Sequence, residues 1–159
     1  MIKNIGMVIL VLAVMMVGFA GSAAAQSAPA DNMDIVKEKI RTDKKLFIIT
    51  NMQLDKMEAK NFMPVYRDYQ AKLEKLVDRK GKLIEKFAAN YETLSDDMAK
   101  SLLDTDLSID SDYQKLRQSY LPKFRQVLPD KKVARFYQLE SKIHAVVEFE
   151  IAARIPMVQ

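Results

Sequence analysis

A single histidine, His144, and the absence of cysteine and tryptophan leave this chain few means of covalent chemistry. A Cys–His pair or a histidine-based metal cluster is impossible with that inventory. His144 sits between Ile143 and Val146 in a helical pattern, where it reads as an ordinary helix residue. No serine stands in a Gly-x-Ser-x-Gly turn, and no glycine-rich loop could cradle a phosphate. The acidic run Asp104, Asp106, Asp110 and Asp112 has the look of a calcium loop but lacks its glycine and its twelfth-position glutamate. It reads instead as a solvated acidic turn. The residue types therefore point to a binding protein, not an enzyme, with no cofactor and no metal.

What chemistry remains is that of surfaces. Ten methionines and thirteen phenylalanines and tyrosines accompany a formal net charge of +4. The charge is segregated along the chain. Seven acidic residues against Lys100 alone lie between Glu92 and Asp112, and eight basic residues against Asp130 and Glu140 lie between Lys115 and Lys142. A basic stripe beside apolar residues suits acidic or partly unfolded polypeptides. An export signal, argued below, speaks against nucleic acid as a partner.

These residues must be positioned by helices. The longest pattern runs from Leu54 to Tyr91, with apolar residues at Phe62, Tyr66, Tyr69, Leu73, Leu76, Leu83, Phe87 and Tyr91. Their steps of three and four form a heptad-like, coiled-coil stripe on one face, interrupted by Lys80. A helix of that length spans roughly 50 Å and needs another long segment against it. Asp55 is a suitable N-cap, with Glu58 at the capping-box position. Pro64 is expected to bend the helix and Gly81 to weaken it.

A first helix is expected from about Asp31, with Val36, Ile40, Phe47 and Met52 on one face and Lys44 interrupting it. Asn51–Gln53 makes the turn that follows. Ser95 is expected to cap a third helix carrying Met98, Leu102, Ile109, Tyr113, Leu116, Tyr120, Phe124 and Val127. A break is expected over Asp104–Asp112, and Pro122 repeats the bend of Pro64. The last helix is expected from about Asp130 to Ala153, with Val133, Phe136, Leu139, Ile143, Val146, Val147 and Phe149 on its stripe, closed by Pro156.

Met1–Ala25 has the form of a cleavable signal peptide. Lys3 precedes the uncharged run Ile5–Ala20, and Ala23-Ala24-Ala25 offers a small-residue cleavage site. An uncleaved anchor is the alternative reading of that run. Cleavage would leave Gln26–Gln159, with a short leader over residues 26–32 and one helical domain over residues 33–155.

Leu54-Asp55-Lys56-Met57-Glu58, followed by Phe62-Met63-Pro64-Val65-Tyr66 and Tyr69-Gln70, resembles the first Leu-Thr-x-x-Gln motif of the Spy/CpxP-like periplasmic proteins. Leu128-Pro129-Asp130-Lys131-Lys132, followed by Ala134–Gln138, stands where a second copy belongs. Asp55 and Glu58 depart from the first motif while keeping its capping chemistry; Pro129 and Lys132 depart from the second and lose it. The four helical patterns lead us to expect an all-α fold with a long antiparallel helical hairpin, and a chain so thin buries little by itself, which favours a homodimer; the resemblance points the same way and implies a bent, cradle-like shape. It further implies a periplasmic, ATP-independent chaperone of the envelope stress response that holds unfolded polypeptides. Met52, Met57, Phe62, Met63 and Arg67 are its candidate client contacts, because flexible methionines suit varied partners. The alternatives are an accessory or inhibitor of a two-component sensor kinase, and a metal-responsive sensor, for which the usual histidines are missing.

Overall fold

The computed structural model describes the backbone of residues 30–158 and the side chains of residues 41–158. The signal peptide expected over residues 1–25 and residues 26–29 of the expected leader lie outside the described residues, as do the side chains of Val36 and Ile40; residues 30–32, expected to be leader, are instead the start of a helix. Among the described residues, four α-helices follow one another: α1 Ala30–Met52, α2 Lys56–Asn90, α3 Asp96–Arg125 and α4 Asp130–Ala152, with a 3₁₀ turn at Tyr91–Thr93 between α2 and α3. There is no strand among the described residues, and none of their helices is long and apolar enough to cross a membrane. The fold is all-α.

The chain divides into two compact units. One runs from Leu54 to Val133, and the other joins the segment ending at Gln53 to Ala134–Met157. In the first unit, α2 and α3 form the expected antiparallel hairpin. Pairs across it run in opposite directions along the two helices: Phe62 with Phe124, Tyr69 with Tyr120, and Arg79 with Asp112.

The ends of these helices are set by local chemistry. The Asp55 carboxylate accepts from the Glu58 amide at 2.8 Å, and the Glu58 carboxylate accepts from the Asp55 amide at 2.9 Å, a complete capping box. Ser95 Oγ accepts from the Met98 amide, and Asp96 and Asp97 occupy the first turn of α3, where negative charge meets the positive end of the helix dipole. α1 stops because Gln53 turns to a φ of 51°, the left-handed conformation that ends many helices. We expect Asp55→Ala to lower the unfolding free energy by about 1 kcal/mol. Urea denaturation followed by circular dichroism measures it, and an unchanged midpoint would mean that the cap contributes nothing.

Three expectations are corrected. No break occurs at Asp104–Asp112, because α3 is continuous there. Ile109 is buried on its inner face, and Asp104, Asp106 and Asp112 are held by Lys100, Lys80 and Arg79. Charge pairing and one anchoring isoleucine outweigh the poor helix propensity of aspartate. The buried stripe of α1 runs through Ile48 and Met52, while Phe47 is half-buried. Phe149, expected on the stripe of α4, is 71% exposed. α2 and α3 also continue through Pro64 and Pro122, both of which face solvent. There, water can serve the carbonyl that a proline leaves without a backbone donor.

Candidate functional site

An aromatic cluster fixes the half of the hairpin near Asp55. Phe62, Tyr66 and Tyr69 rise from α2 at steps of four and three, and Tyr120 and Phe124 answer from α3. Ring centroids lie 5.7 Å apart for Phe62–Phe124, 5.8 Å for Tyr69–Phe124 and 5.3 Å for Tyr69–Tyr120. The last two pairs are edge-on, the arrangement that ring quadrupoles favour.

A polar shell lies over the end of this cluster. The Tyr120 hydroxyl donates to Asp68 at 2.5 Å, and Lys72 and Lys123 each approach the same carboxylate at 3.7 Å. Both ammonium groups also lie over the Tyr120 ring, Lys123 at 4.2 Å from its centroid and Lys72 at 5.0 Å. The Tyr120 hydrogen bond, aided by the two lysines, holds the Asp68 carboxyl below the usual carboxylate range. The contact with the Tyr120 hydroxyl raises Lys72. The Tyr120–Asp68 hydrogen bond thus ties α3 to α2, while the Asp68 carboxylate and both ammonium groups stay about half exposed.

The two segments compared in the sequence, Leu54–Glu58 and Leu128–Lys132, meet in this unit. Glu58 ends the first and Lys132 ends the second, 74 residues later, and the two side chains form an ion pair and hydrogen bond. That contact, followed by the Asp55 amide, lowers the Glu58 carboxyl below its usual value. The departure at Lys132 removes a side-chain cap, but Glu58 supplies its charge partner. The Pro129 carbonyl accepts from the Lys132 and Val133 amides at 2.9 and 3.0 Å, and Asp130 pairs with Arg125. Leu128 is buried, Leu54 is half-buried and Pro129 is exposed. The equivalent positions Phe62 and Phe136, also 74 residues apart, are each fully buried. That shared offset was legible in the sequence.

The client-contact candidates separate sharply. Met52 and Phe62 are fully buried, so as folded neither can touch a client, and that expectation is corrected. Met57 is 65% exposed, Met63 is half-buried and Arg67 is exposed. Met63 and Arg67 lie four residues apart on one face of α2, whereas Met57 points roughly 120° away around the axis. The structure therefore presents Met63 with Arg67, and Met57 separately.

Other apolar side chains are equally open. Leu46, Ile49, Leu103, Leu107 and Phe149 all stand in solvent, and none was a site candidate. The signal was available for Leu103 and Leu107, because both fall off the register of the Leu102–Ile109–Tyr113 stripe. A shallow, open polar hollow of about 440 Å³ is lined by Arg79, Asp97, Lys100 and Asp104 among others. Among the described residues, no three His, Cys, Asp or Glu side chains converge as a metal site. His144 Nδ1 lies 3.9 Å from Glu148, one turn along α4.

Protein-family models, curated proteins and solved structures all return no match to this chain.

Proposed function

We propose that this protein is an ATP-independent, chaperone-like protein of the cell envelope, similar to the Spy/CpxP-like proteins, which binds unfolded or partly folded polypeptides and acts as a homodimer. The observation that carries the reading is the ion pair between Glu58 and Lys132, equivalent positions of the two motif copies. It gives the motif pattern a physical role at the turns that start α2 and α4. The exposed or half-exposed side chains Met57, Met63 and Arg67 support client contact, combining flexible apolar surface with positive charge. Their charge would speed encounter with acidic clients, and the methionines would adapt to varied segments.

The test uses the purified protein and two unrelated, thermally unfolding client proteins without ATP. Aggregation, followed by light scattering, should fall at near-stoichiometric chaperone, and protection of acidic clients should weaken as salt screens exposed charge. Met57→Ser with Met63→Ser should reduce protection more than it lowers the melting temperature. No protection of either client at several-fold excess, with helical circular dichroism intact, would overturn the reading. Docking on the periplasmic domain of a sensor kinase would then be the better account.

A further inference from the structure

Two surface patches on this chain match each other in shape of composition and oppose each other in charge. The first belongs to the unit that contains the C-terminal part of α1. There Leu46 is 62% and Ile49 39% exposed, and Lys45 lies on the same face one turn before Ile49. α4 borders this side, because Arg135 Nη1 donates to Gln53 Oε1 at 2.9 Å. Lys142 follows Arg135 by seven residues and so lies on the same face of α4. Asp43, three residues before Leu46, is an anion beside Lys45, Arg135 and Lys142, so the patch is two aliphatic side chains in a setting positive on balance.

The second lies on the outer face of α3. Leu103 and Leu107, one turn apart, are each 58% exposed. Asp96 and Asp110 lie seven residues before Leu103 and after it, on the same face, and Asp104 stands beside the pair. Lys100 answers Asp104 at 2.7 Å, which leaves the stripe negative on balance. The patch is two aliphatic side chains among anions.

We infer that the α3 patch of one copy of this chain docks on the Leu46–Ile49 patch of a second copy. Like-with-like pairing of either patch would bring equal charges together, a cost that the crossed pairing avoids and converts into attraction. Each aliphatic pair then leaves water against the other. Two copies related by a two-fold axis would make this contact twice; without closure the contact extends to longer assemblies. Patches of this size make a weak contact, one governed by concentration and salt. The inference rests on the homodimer part of the reading above and supplies its surfaces, but it does not depend on client binding.

Sedimentation equilibrium of the chain lacking residues 1–25 tests it, over protein concentrations from about 10 µM to about 1 mM. The expected result is a mass above the monomer, with an association constant that falls by about tenfold or more between low salt and about 0.5 M salt. Leu103→Gln with Leu107→Gln should be monomeric alone, as should Leu46→Gln with Ile49→Gln. Mixed in equal amounts they should associate again, because each retains the patch that the other has lost. Should either variant lose helicity, Lys142→Glu and Asp110→Lys replace them in the same design, each reversing one charge of the pair. A monomeric wild type, variants that associate as well as wild type, or a mixture that stays monomeric would each overturn the inference. Loss of association with aggregation suppression intact would strike this inference and leave the chaperone reading standing.

Discussion

Phe124→Ala should lower the unfolding free energy by about 3–5 kcal/mol, the range found when a buried phenylalanine is truncated to alanine. Phe124 is fully buried and lies within 6.2 Å, centroid to centroid, of the rings of Phe62, Tyr69 and Tyr120. Those three rings are tethered to two different helices and cannot all move into the vacated volume without breaking the Tyr120–Asp68 hydrogen bond. The cavity term should therefore persist alongside the lost transfer energy. Phe124→Leu keeps most of the volume and should cost less than half as much. Urea denaturation decides it, with the slope held constant to show that the unfolded state is unchanged. A loss below about 1 kcal/mol for the alanine variant would mean that the aromatic cluster is not the core of the hairpin.

The second large effect lies in the other unit. Glu140 is 3% exposed, the one buried charged residue among the described residues, and Lys44 meets it at 3.0 Å. Lys44→Met should cost on the order of 3 kcal/mol, because it removes the cation that meets a carboxylate buried to 3% exposure. Much of that loss belongs to the burial of the carboxylate rather than to the pair itself. Removing both charges, as Lys44→Met with Glu140→Leu, should therefore bring stability back to within about 1 kcal/mol of the parent. A double variant as unstable as the single one would show that the pair is held for its attraction and not merely to offset burial. Thermal and urea unfolding of the four proteins in the cycle measure the coupling.

Lys44 and Lys80 illustrate where sequence reasoning stops. Each occupies a position in an apolar stripe and reads there as an interruption. Each is in fact a stripe member, with a side chain less than one-fifth exposed and an acidic partner, Glu140 for Lys44 and Asp106 for Lys80. The partners lie 96 and 26 residues away. Helix periodicity is a property of neighbours three and four residues apart, so it marks which face a lysine occupies. It carries no information on which carboxylate another helix will bring to that face. Met52 and Phe62 stood on the stripes that periodicity marks for burial, and both are buried; only the resemblance made them client-contact candidates.

The local part was decided by the sequence alone. Asp55 with Glu58, and Ser95 ahead of two aspartates, set the starts of α2 and α3, because capping uses groups within three residues of each other. The three-and-four spacing of Phe62, Tyr66 and Tyr69, answered by Tyr113, Tyr120 and Phe124, determined an all-α hairpin with its aromatic seam inside. Tertiary structure decided the rest. It kept Asp104–Asp112 helical by supplying Lys80 and Arg79 from the opposite helix, and it set Lys132 against Glu58. It also left Phe149 in solvent while Phe136, on the same predicted stripe, is buried. A stripe states what a helix is able to bury; how much of it is buried depends on how far along its length another helix lies against it.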